Sequence, residues 1–316
     1  SIFQKISLFC NVKPDCVFGN RTLQNLYEAP LMLEKSGFSD VVCRELHIDE
    51  PKPELEDWKQ MVERIQNRSR EVHIGLVGKY VKLHDAYLSV AEAMNHAGYE
   101  LNTFVKIHWI DSENIRSDNV KEILEGLDGI IVPGGFGNRG IEGMILSANY
   151  ARENQIPYFG ICLGMQIAVI EFARNVLGLK CAHSGEFDEQ CAHKVIDFMP
   201  GQSEEIDKGG TLRLGSYPCS IKAGTKMEQC YGNKLIHERH RHRYEFNNKY
   251  REELMRAGLV ISGTSPDDRL VETVELKEHP FFVGVQFHPE FKSRPNQSHP
   301  LFKGFVSAAL LKRNAD

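Results

Sequence analysis

The chain lacks three features that would assign it to familiar classes of protein. Its longest apolar runs, Gly129–Pro133 and Phe281–Val285, are far shorter than the roughly 20 residues of a membrane-spanning helix. Its 38 Lys and Arg residues are outnumbered by 43 Asp and Glu residues, so the net charge of -5 offers no general attraction to nucleic acid or to a membrane. No positively charged segment followed by an apolar one opens the chain, so we expect a cytoplasmic location.

The eight cysteines lack the C-x-x-C spacing of a redox motif or a zinc site. In a cytoplasmic chain of this length, we expect reduced thiols instead of disulfides. Two similar tripeptides, Cys181-Ala-His183 and Cys191-Ala-His193, bring four soft ligands close together, but their spacing is not that of structural zinc sites. We therefore expect these residues to lie in loops and strands, and we expect no metal in this chain.

The pattern of the 316 residues changes twice, which predicts three parts. Residues 1–46 are expected to form a short strand-rich or mixed piece, within a first part that ends at residue 50. Because Ser1 already lies in a stretch with a structured pattern, we interpret the chain as a fragment, or as one whose N-terminal part is absent. Residues 51–70 are polar and contain two prolines, which is typical of a connector, here with one helix around Trp58–Ile65. Residues 71–316 form the main domain.

In the main domain, apolar strands alternate with segments whose apolar residues recur every three or four positions. For example, a strand at Ile156–Ile161 precedes a helix that runs from Leu163 to about Leu177. This alternation predicts an α/β fold in which helices cover both faces of a mostly parallel central sheet. Later segments, such as Ser216–Ile221 and Leu259–Gly263, favour an antiparallel extension.

The strongest chemical signal is a cysteine between two glycines, Gly160-Ile-Cys162-Leu-Gly164, placed between a predicted strand and a predicted helix. Glycines on both sides permit the sharp turn of a nucleophile elbow, which raises the side chain above the sheet. At a helix N-terminus the helix dipole favours the thiolate, the nucleophilic form of cysteine. A buried core cysteine is the alternative, but the flanking glycines favour a nucleophile.

A thiolate nucleophile needs a base, and the base needs a residue to orient it. Among thirteen histidines, His288 stands out because it follows an apolar strand directly and is followed by Pro289 and Glu290. Proline biases the residue before it toward extended backbone, in which residues two apart project to the same side. We therefore expect Glu290 to hold one ring nitrogen of His288 while the other faces Cys162.

A glycine-rich loop, Pro133-Gly-Gly-Phe-Gly137, also follows a predicted strand. Its backbone N–H groups are suitable donors to the negative oxygen that develops when an amide is hydrolysed. A plain turn or a phosphate loop is the alternative, but the spacing G-x-x-x-x-G-K-[ST] of a phosphate loop occurs nowhere in the chain.

Two charged features point to the substrate. The segment Arg239-His-Arg-His-Arg243 is a short basic patch, for which a solvated segment or a nucleic-acid contact is the default interpretation. Because the whole chain is acidic, we prefer an arginine that holds a substrate carboxylate through two hydrogen bonds. Glu186, in the loop after the elbow helix, can pair with an ammonium group. An arginine and a glutamate beside a Cys–His–Glu triad are suited to bind a free α-amino acid that has a side-chain amide.

Together these motifs resemble the class I glutamine amidotransferases, in which the triad residues follow the order Cys, His, Glu along the chain. The likeness covers almost the whole chain and implies the flavodoxin-like architecture of that family. It is greatest to members that also carry a synthetase domain. The stretches that carry the likeness are Gly75–Tyr80, Asp85–Tyr87, Pro133–Gly137, Gly160–Gln166, Arg239–Tyr244 and Phe287–Phe291.

Carried over residue by residue, the resemblance implies that Cys162 is the acylated nucleophile, His288 its base and Glu290 the residue that orients the base. It implies L-glutamine as the substrate and no cofactor for the glutaminase step. Gln166 and Glu186 would hold the glutamine head group, and Arg243 its carboxylate. The full set of implied glutamine-binding residues is Gly135, Leu163, Gly164, Met165, Gln166, Glu186 and Arg243.

The resemblance also implies a larger enzyme, in which a synthetase domain uses the ammonia, ATP and Mg2+ to convert UTP into CTP. Such enzymes are homotetramers that GTP activates, and the loop Met199–Gly210 with Phe136 resembles the region that responds to GTP. Lys5 would bind UTP or CTP. The bulk of the synthetase domain is not in this chain, so only the glutaminase activity is expected of it. The residues expected near ATP are Arg21, Thr22 and Leu23.

Two alternatives stay open, because an elbow and a triad alone do not select a substrate. A cysteine hydrolase or peptidase of the same architecture would cleave peptides or esters without preferring free glutamine. A non-catalytic assembly module is the other alternative, but it would have no need for Cys162, His288 and Glu290 together.

Overall fold

The computed structural model describes residues 1–198 and 212–315. The chain forms two compact units, Ser1–Arg68 and Ser69–Asp316. Across the described ranges, no helix combines the length and the apolar character that crossing a bilayer requires.

The first unit is helical, so the expectation of a strand-rich or mixed piece was wrong: none of residues 1–68, all of which the structure describes, lies in a strand. Local capping explains the first helix, because the Ser1 side chain accepts a hydrogen bond from the Gln4 backbone and Asn11 ends the helix with a φ of 52°. The four helices are α1 (Ile2–Cys10), α2 (Ala29–Lys35), α3 (Phe38–Leu46) and α4 (Glu56–Gln66).

Helix α4 confirms the helix predicted around Trp58–Ile65. Two acidic residues lie in its first turn and Arg64 in its last, which suits the helix dipole. The Trp58 ring nitrogen donates a 2.7 Å hydrogen bond to the carbonyl of Tyr27, so this helix is tied to the segment that precedes α2.

The second unit contains a large and a small sheet. In chain order, its strands are β1 (Arg70–Gly78), β2 (Thr103–Asp111), β3 (Gly129–Val132), β4 (Tyr158–Ile161), β5 (Ala182–Ser184), β6 (His193–Phe198), β7 (Arg213–Ile221), β8 (Leu235–His242), β9 (Tyr244–Phe246), β10 (Leu259–Thr264), β11 (Val271–Leu276) and β12 (Phe282–Val285). Its helices are α5 (Leu88–Glu100), α6 (Val120–Leu124), α7 (Ile141–Glu153), α8 (Leu163–Asn175), α9 (Lys226–Tyr231), α10 (Arg251–Arg256) and α11 (Pro300–Ala315).

The large sheet has the strand order β2-β1-β3-β4-β12-β11-β10-β7-β8, and the small one β5-β6-β9. Strands β2, β1, β3, β4 and β12 are parallel, and the remaining four continue the large sheet in antiparallel pairs. The predicted α/β fold is thus confirmed as a mixed sheet with a mostly parallel core and an antiparallel extension.

Apolar side chains cover both faces of the parallel strands. Neighbouring residues of one strand, such as Tyr158 and Phe159, enter different apolar clusters because successive side chains point to opposite faces. One cluster includes Met144 and Ile170 from α7 and α8, and the other includes residues of α5 and α11 such as Phe305. This two-sided burial fixes the carboxyl ends of β3, β4 and β12 side by side.

Candidate functional site

The elbow at Cys162 joins β4 directly to α8. Cys162 has a φ of 52° and a ψ of -98°, a strained backbone conformation that non-glycine residues seldom adopt. The two flanking glycines explain how the turn closes: a Cβ on Gly160 would lie 2.4 Å from the Gly164 carbonyl oxygen, and one on Gly164 would lie 2.0 Å from that of Val132. Cys162 as a whole residue is only 6% exposed.

The structure brings Cys162, His288 and Glu290 together. Nδ1 of His288 lies 2.7 Å from Oε1 of Glu290, and the His288 ring also interacts with the Cys162 side chain. The prediction that extended backbone would pair His288 with Glu290 was wrong, because Pro289–Lys292 form a short 3-10 turn. The pairing therefore occurs across a turn, which the His288 backbone N–H anchors to the Arg239 carbonyl at 2.7 Å.

The surroundings of His288 favour its charged form. Burial alone would lower its pKa, but the Cys162 thiolate and the Glu290 carboxylate outweigh burial and raise the pKa from 6.5 to about 10. A Cβ on Gly134 would lie 2.9 Å from Cε1 of His288, so the glycine loop reaches the ring closely. The Cys162 and Glu290 side chains thus hold the pKa of the His288 ring well above its ordinary value.

A buried lysine that the sequence analysis missed holds the glycine-rich loop. Nζ of Lys79 donates to the carbonyl oxygens of Phe136, at 3.2 Å, and of Gly137. Oε1 of Glu186 accepts the Gly137 backbone N–H at 3.3 Å, so the peptide between residues 136 and 137 is held at both ends. Burial lowers the pKa of Lys79 to about 8 and raises that of Glu186, although the two charges attract each other.

A cavity of about 280 Å³ opens beside Cys162. It holds most of the residues expected to bind glutamine, together with Arg241 and Tyr244, which the sequence analysis did not assign. The expected residues that line it are Gly135, Leu163, Gln166, Glu186 and Arg243.

Gly164 and Met165 take a different place from the other expected residues. Both are buried under the elbow, where the Gly164 carbonyl accepts a 2.8 Å hydrogen bond from the Tyr158 hydroxyl and Met165 packs on Gly284. They support the floor of the site from the side of the sheet. A second cavity, of about 270 Å³, is also lined by Cys162, together with His288 and Glu290.

A second missed residue, Gln286, contacts the nucleophile. It follows β12, is fully buried, and its Nε2 lies 3.6 Å from the sulfur of Cys162. Nε2 of Gln166 donates to Oε1 of Gln286 at 3.3 Å and to the Tyr244 carbonyl at 3.0 Å. The signal was available in the sequence, since Gln286 lies two residues before His288 at the end of an apolar strand.

Residues 239–242 of the basic segment form the end of strand β8. Burial alternates along the strand: Arg239 and Arg241 are exposed, whereas His240 and His242 are buried. Burial lowers the pKa of these two histidines to about 2 and about 3, so both stay neutral. The segment thereby places Arg243, one residue past the strand, at the wall of the cavity.

The remaining expectations fall elsewhere. In the first unit, Lys5, Arg21 and Thr22 are exposed, and a depression of about 430 Å³ is lined in part by Arg21 and Leu23. The loop Met199–Gly210, which was expected to respond to GTP, lies outside the described residues.

The two Cys-Ala-His tripeptides lie where the sequence predicts. All eight cysteines are free thiols, and the two tripeptides occupy loops and the strands β5 and β6. Within residues 1–198 and 212–315, no group of three or more His, Cys, Asp or Glu side chains is arranged to hold a metal ion.

Two family models match the chain. The model described as "Glutamine amidotransferase class-I" matches residues 82–308, and the one described as "CTP synthase N-terminus" matches residues 1–48. The first covers the elbow, the glycine-rich loop, the triad and the cavity beside Cys162.

Curated relatives and a solved structure agree with these matches. The chain is 57% identical to the CTP synthase of Listeria innocua over 97% of this chain and 58% of that protein. It is 56% identical to the CTP synthase of Clostridium acetobutylicum over 96% of this chain and 57% of that protein. It thus spans less than two thirds of these relatives. A structure of the Trypanosoma brucei CTPS glutaminase domain with bound acivicin matches with a TM-score of 0.72 and 41% identity, covering 76% of this chain and 94% of that one.

Proposed function

The chain belongs to the class I glutamine amidotransferase family, among the CTP synthases, and from this membership we propose that its second unit hydrolyses glutamine to glutamate and ammonia. The observation that carries the proposal is the triad of Cys162, His288 and Glu290 beside a cavity lined by Glu186 and Arg243. A nucleophile with an oriented base performs acyl transfer, and the two opposite charges match the two ends of a free amino acid.

In the first step, the Cys162 thiolate attacks the side-chain amide carbon of glutamine and forms a carbon–sulfur bond. The backbone N–H groups of Gly135 and Leu163 donate to the oxygen that becomes negative. The His288 imidazolium gives its proton to the amide nitrogen, the carbon–nitrogen bond breaks, and ammonia leaves a glutamyl thioester on Cys162.

In the second step, water attacks the thioester carbon while His288 accepts a proton from the water. The carbon–sulfur bond breaks, glutamate leaves, and the thiolate and the imidazolium are restored. Glu290 remains a carboxylate throughout, because its role is to hold Nδ1 of His288 and to stabilise the positive ring.

The cavity provides contacts for each end of the substrate. We assign the glutamine carboxylate to Arg243, since a guanidinium binds a carboxylate through two parallel hydrogen bonds. Glu186 and Oε1 of Gln166 would accept from the ammonium group, and Gly164 and Met165 would support the floor beneath it. Binding both ends of a free amino acid also disfavours the peptidase alternative, since a peptide chain would have to continue where these groups lie.

Glutamate release tests this proposal directly. The chain is incubated with glutamine, alone and together with the part of the relatives' length that it does not span, and glutamate is measured by a coupled dehydrogenase assay. We expect release that Cys162→Ala reduces to background and that Cys181→Ala, at an exposed cysteine outside the cavity, leaves unchanged. Cleavage of peptides or esters without release of glutamate would overturn the proposal in favour of the alternative.

We further propose that the complete enzyme uses the ammonia to convert UTP into CTP in the cytoplasm, with ATP, Mg2+ and activation by GTP, and that it is a homotetramer. The similarity of the whole chain to CTP synthases supports this assignment. Residues 1–50 would then end the synthetase domain, residues 51–70 would link it, and residues 71–316 would form the glutaminase domain.

The residues present do not by themselves form a site for ATP and Mg2+. Lys5, Arg21 and Thr22 are exposed on the first unit, and its described carboxylates, thiols and imidazoles form no group that could hold a metal ion. We therefore assign this chain no step of the synthetase reaction, and Lys5, Arg21, Thr22 and Leu23 are proposed only as contributors to nucleotide binding in the complete enzyme.

A further inference from the structure

We propose that Gln286 is a further catalytic residue, whose side-chain amide donates a hydrogen bond to the Cys162 sulfur and stabilises the thiolate, and that Gln166 positions it. This inference rests on the proposed function for the identity of Cys162 as the nucleophile. It adds a donor to the sulfur that neither the triad nor the glutamine contacts include.

The backbone places Gln286 directly beneath the nucleophile. The Cys162 backbone N–H donates to the Val285 carbonyl at 2.7 Å, and the Gln286 N–H donates to the Glu272 carbonyl at 2.8 Å. Both residues are therefore fixed to the same end of the sheet, and the 3.6 Å from Nε2 to the sulfur is a normal distance for an N–H donor to sulfur.

Every polar atom of the Gln286 side chain has a partner. Oε1 accepts from Gln166, whose Nε2 also donates to the Tyr244 carbonyl, and Nε2 donates to Cys162. Because an amide nitrogen carries the hydrogens, the bond from Gln166 fixes which end of Gln286 faces the sulfur. Gln166 thus acts on the nucleophile through Gln286.

A structural role alone does not account for this amide. Gln286 is fully buried between Val285 and Phe287, where an apolar side chain would avoid the cost of burying a polar group. The sulfur of a neutral thiol is a weak acceptor, whereas a thiolate is a charged and much stronger one. The bond to Nε2 therefore strengthens when Cys162 loses its proton, and it favours the nucleophilic form.

The other contacts of the sulfur leave room for such a donor. The Arg241 carbonyl lies 4.0 Å from the sulfur, and as an acceptor it can interact only with the protonated thiol. His288 is the titratable group in contact with the sulfur, and Glu290 stands behind it. Among the residues that the structure describes, a buried thiolate here has a charged donor, His288, and a neutral donor, Gln286.

The test is the pH dependence of Cys162 alkylation by iodoacetamide, followed by mass spectrometry of the Cys162 peptide in the full chain. Gln286→Met keeps a similar volume and removes the donor. We expect the pH of half-maximal alkylation to rise by about one unit, as for the loss of one hydrogen bond to a charged group, while the maximal rate at high pH stays the same. Gln166→Met should give a smaller rise in the same direction.

Val283→Ala is the matched control, because it loosens the same strand at a fully buried apolar position. We expect it to lower the melting temperature without moving the alkylation midpoint. An unchanged midpoint in folded Gln286→Met, or an equal rise in Val283→Ala, would overturn the proposal. If Gln286→Met does not fold, an unchanged midpoint in Gln166→Met overturns it. Alkylation needs no glutamine, so the result is independent of whether the chain releases glutamate.

Discussion

At the scale of single residues, the site depends on the charge of His288. An isolated histidine is mostly neutral at pH 7, and burial makes the charged form less favourable still. Here the thiolate of Cys162 on one side and the carboxylate of Glu290 on the other reverse that preference and raise the pKa of His288 to about 10. We therefore expect the ring to carry the proton that the departing ammonia needs before glutamine binds.

Removing the Cys162 thiol should lower the pKa of His288. In a histidine NMR titration, we expect the His288 ring to remain protonated well above pH 7 in the wild type and to lose its proton at clearly lower pH in Cys162→Ala, because the largest favourable partner is gone. Cys219→Ala, at a buried cysteine outside the cavity, is the control and should leave the titration unchanged. A wild-type ring that titrates near 6.5 would show that the thiolate–imidazolium pair does not form.

At the scale of helices and strands, some of the segments that form the active site could be predicted from the sequence and others could not. The elbow could be predicted because Gly160 and Gly164, which flank Cys162 in the sequence, indicate a sharp turn. The alternation of strands and helices predicted the sheet. The helical first unit could not be predicted as readily, since its short apolar stretches fit a helix or a strand equally well. For the first helix, the caps at Ser1 and Asn11 favour the helical form. In β8 the alternation of Arg with His and Glu is a strand pattern, but the high charge of the segment concealed it.

The contacts of the glycine-rich loop could not be predicted from the sequence, because they join residues that lie far apart along the chain. Lys79 follows β1, the loop follows β3, and Glu186 lies between β5 and β6, so only the folded sheet brings them together. Gln286 is an intermediate case: its position before His288 was visible, but its contact with Cys162 depends on the pairing of β4 with β12.

The loop also leads to a prediction about Lys79, whose ammonium restrains two of the loop carbonyls. Lys79→Met should lower kcat/KM for glutamine by about tenfold, as for the loss of a charged hydrogen bond. Since its pKa is about 8, we expect wild-type kcat/KM to fall as pH rises through 8. In Lys79→Arg this fall should move to higher pH, because a guanidinium keeps its charge. The measurement is a pH profile of glutaminase activity for the three proteins.

The free energy of unfolding must be measured in the same samples, because Lys79 and His288 change it in opposite directions as the pH rises. The pKa of Lys79 is lowered on folding, so its contribution to the free energy of unfolding rises between about pH 8 and 10.5. The pKa of His288 is raised, so its contribution is complete below 6.5 and is lost toward 10. Identical pH profiles in wild type and Lys79→Arg, with both proteins folded, would contradict the role given to Lys79.

At the scale of the whole molecule, the chain divides into Ser1–Arg68 and Ser69–Asp316, and the second unit contains the triad, the cavity and both apolar clusters. We expect residues 69–316 alone to fold and to melt cooperatively, with iodoacetamide modifying Cys162 at the rate of the full chain. Calorimetry and peptide mass spectrometry measure the two properties. Loss of the cooperative transition on removing residues 1–68 would show that the second unit depends on the first.

Labelling with 6-diazo-5-oxo-norleucine, a reactive glutamine analogue, tests directly whether Cys162 is a nucleophile in a preformed glutamine site. Intact-protein and peptide mass spectrometry should find a single adduct on Cys162, which excess glutamine prevents and Cys162→Ala abolishes. Labelling of another cysteine, or labelling of Cys162 that glutamine does not prevent, would contradict the account.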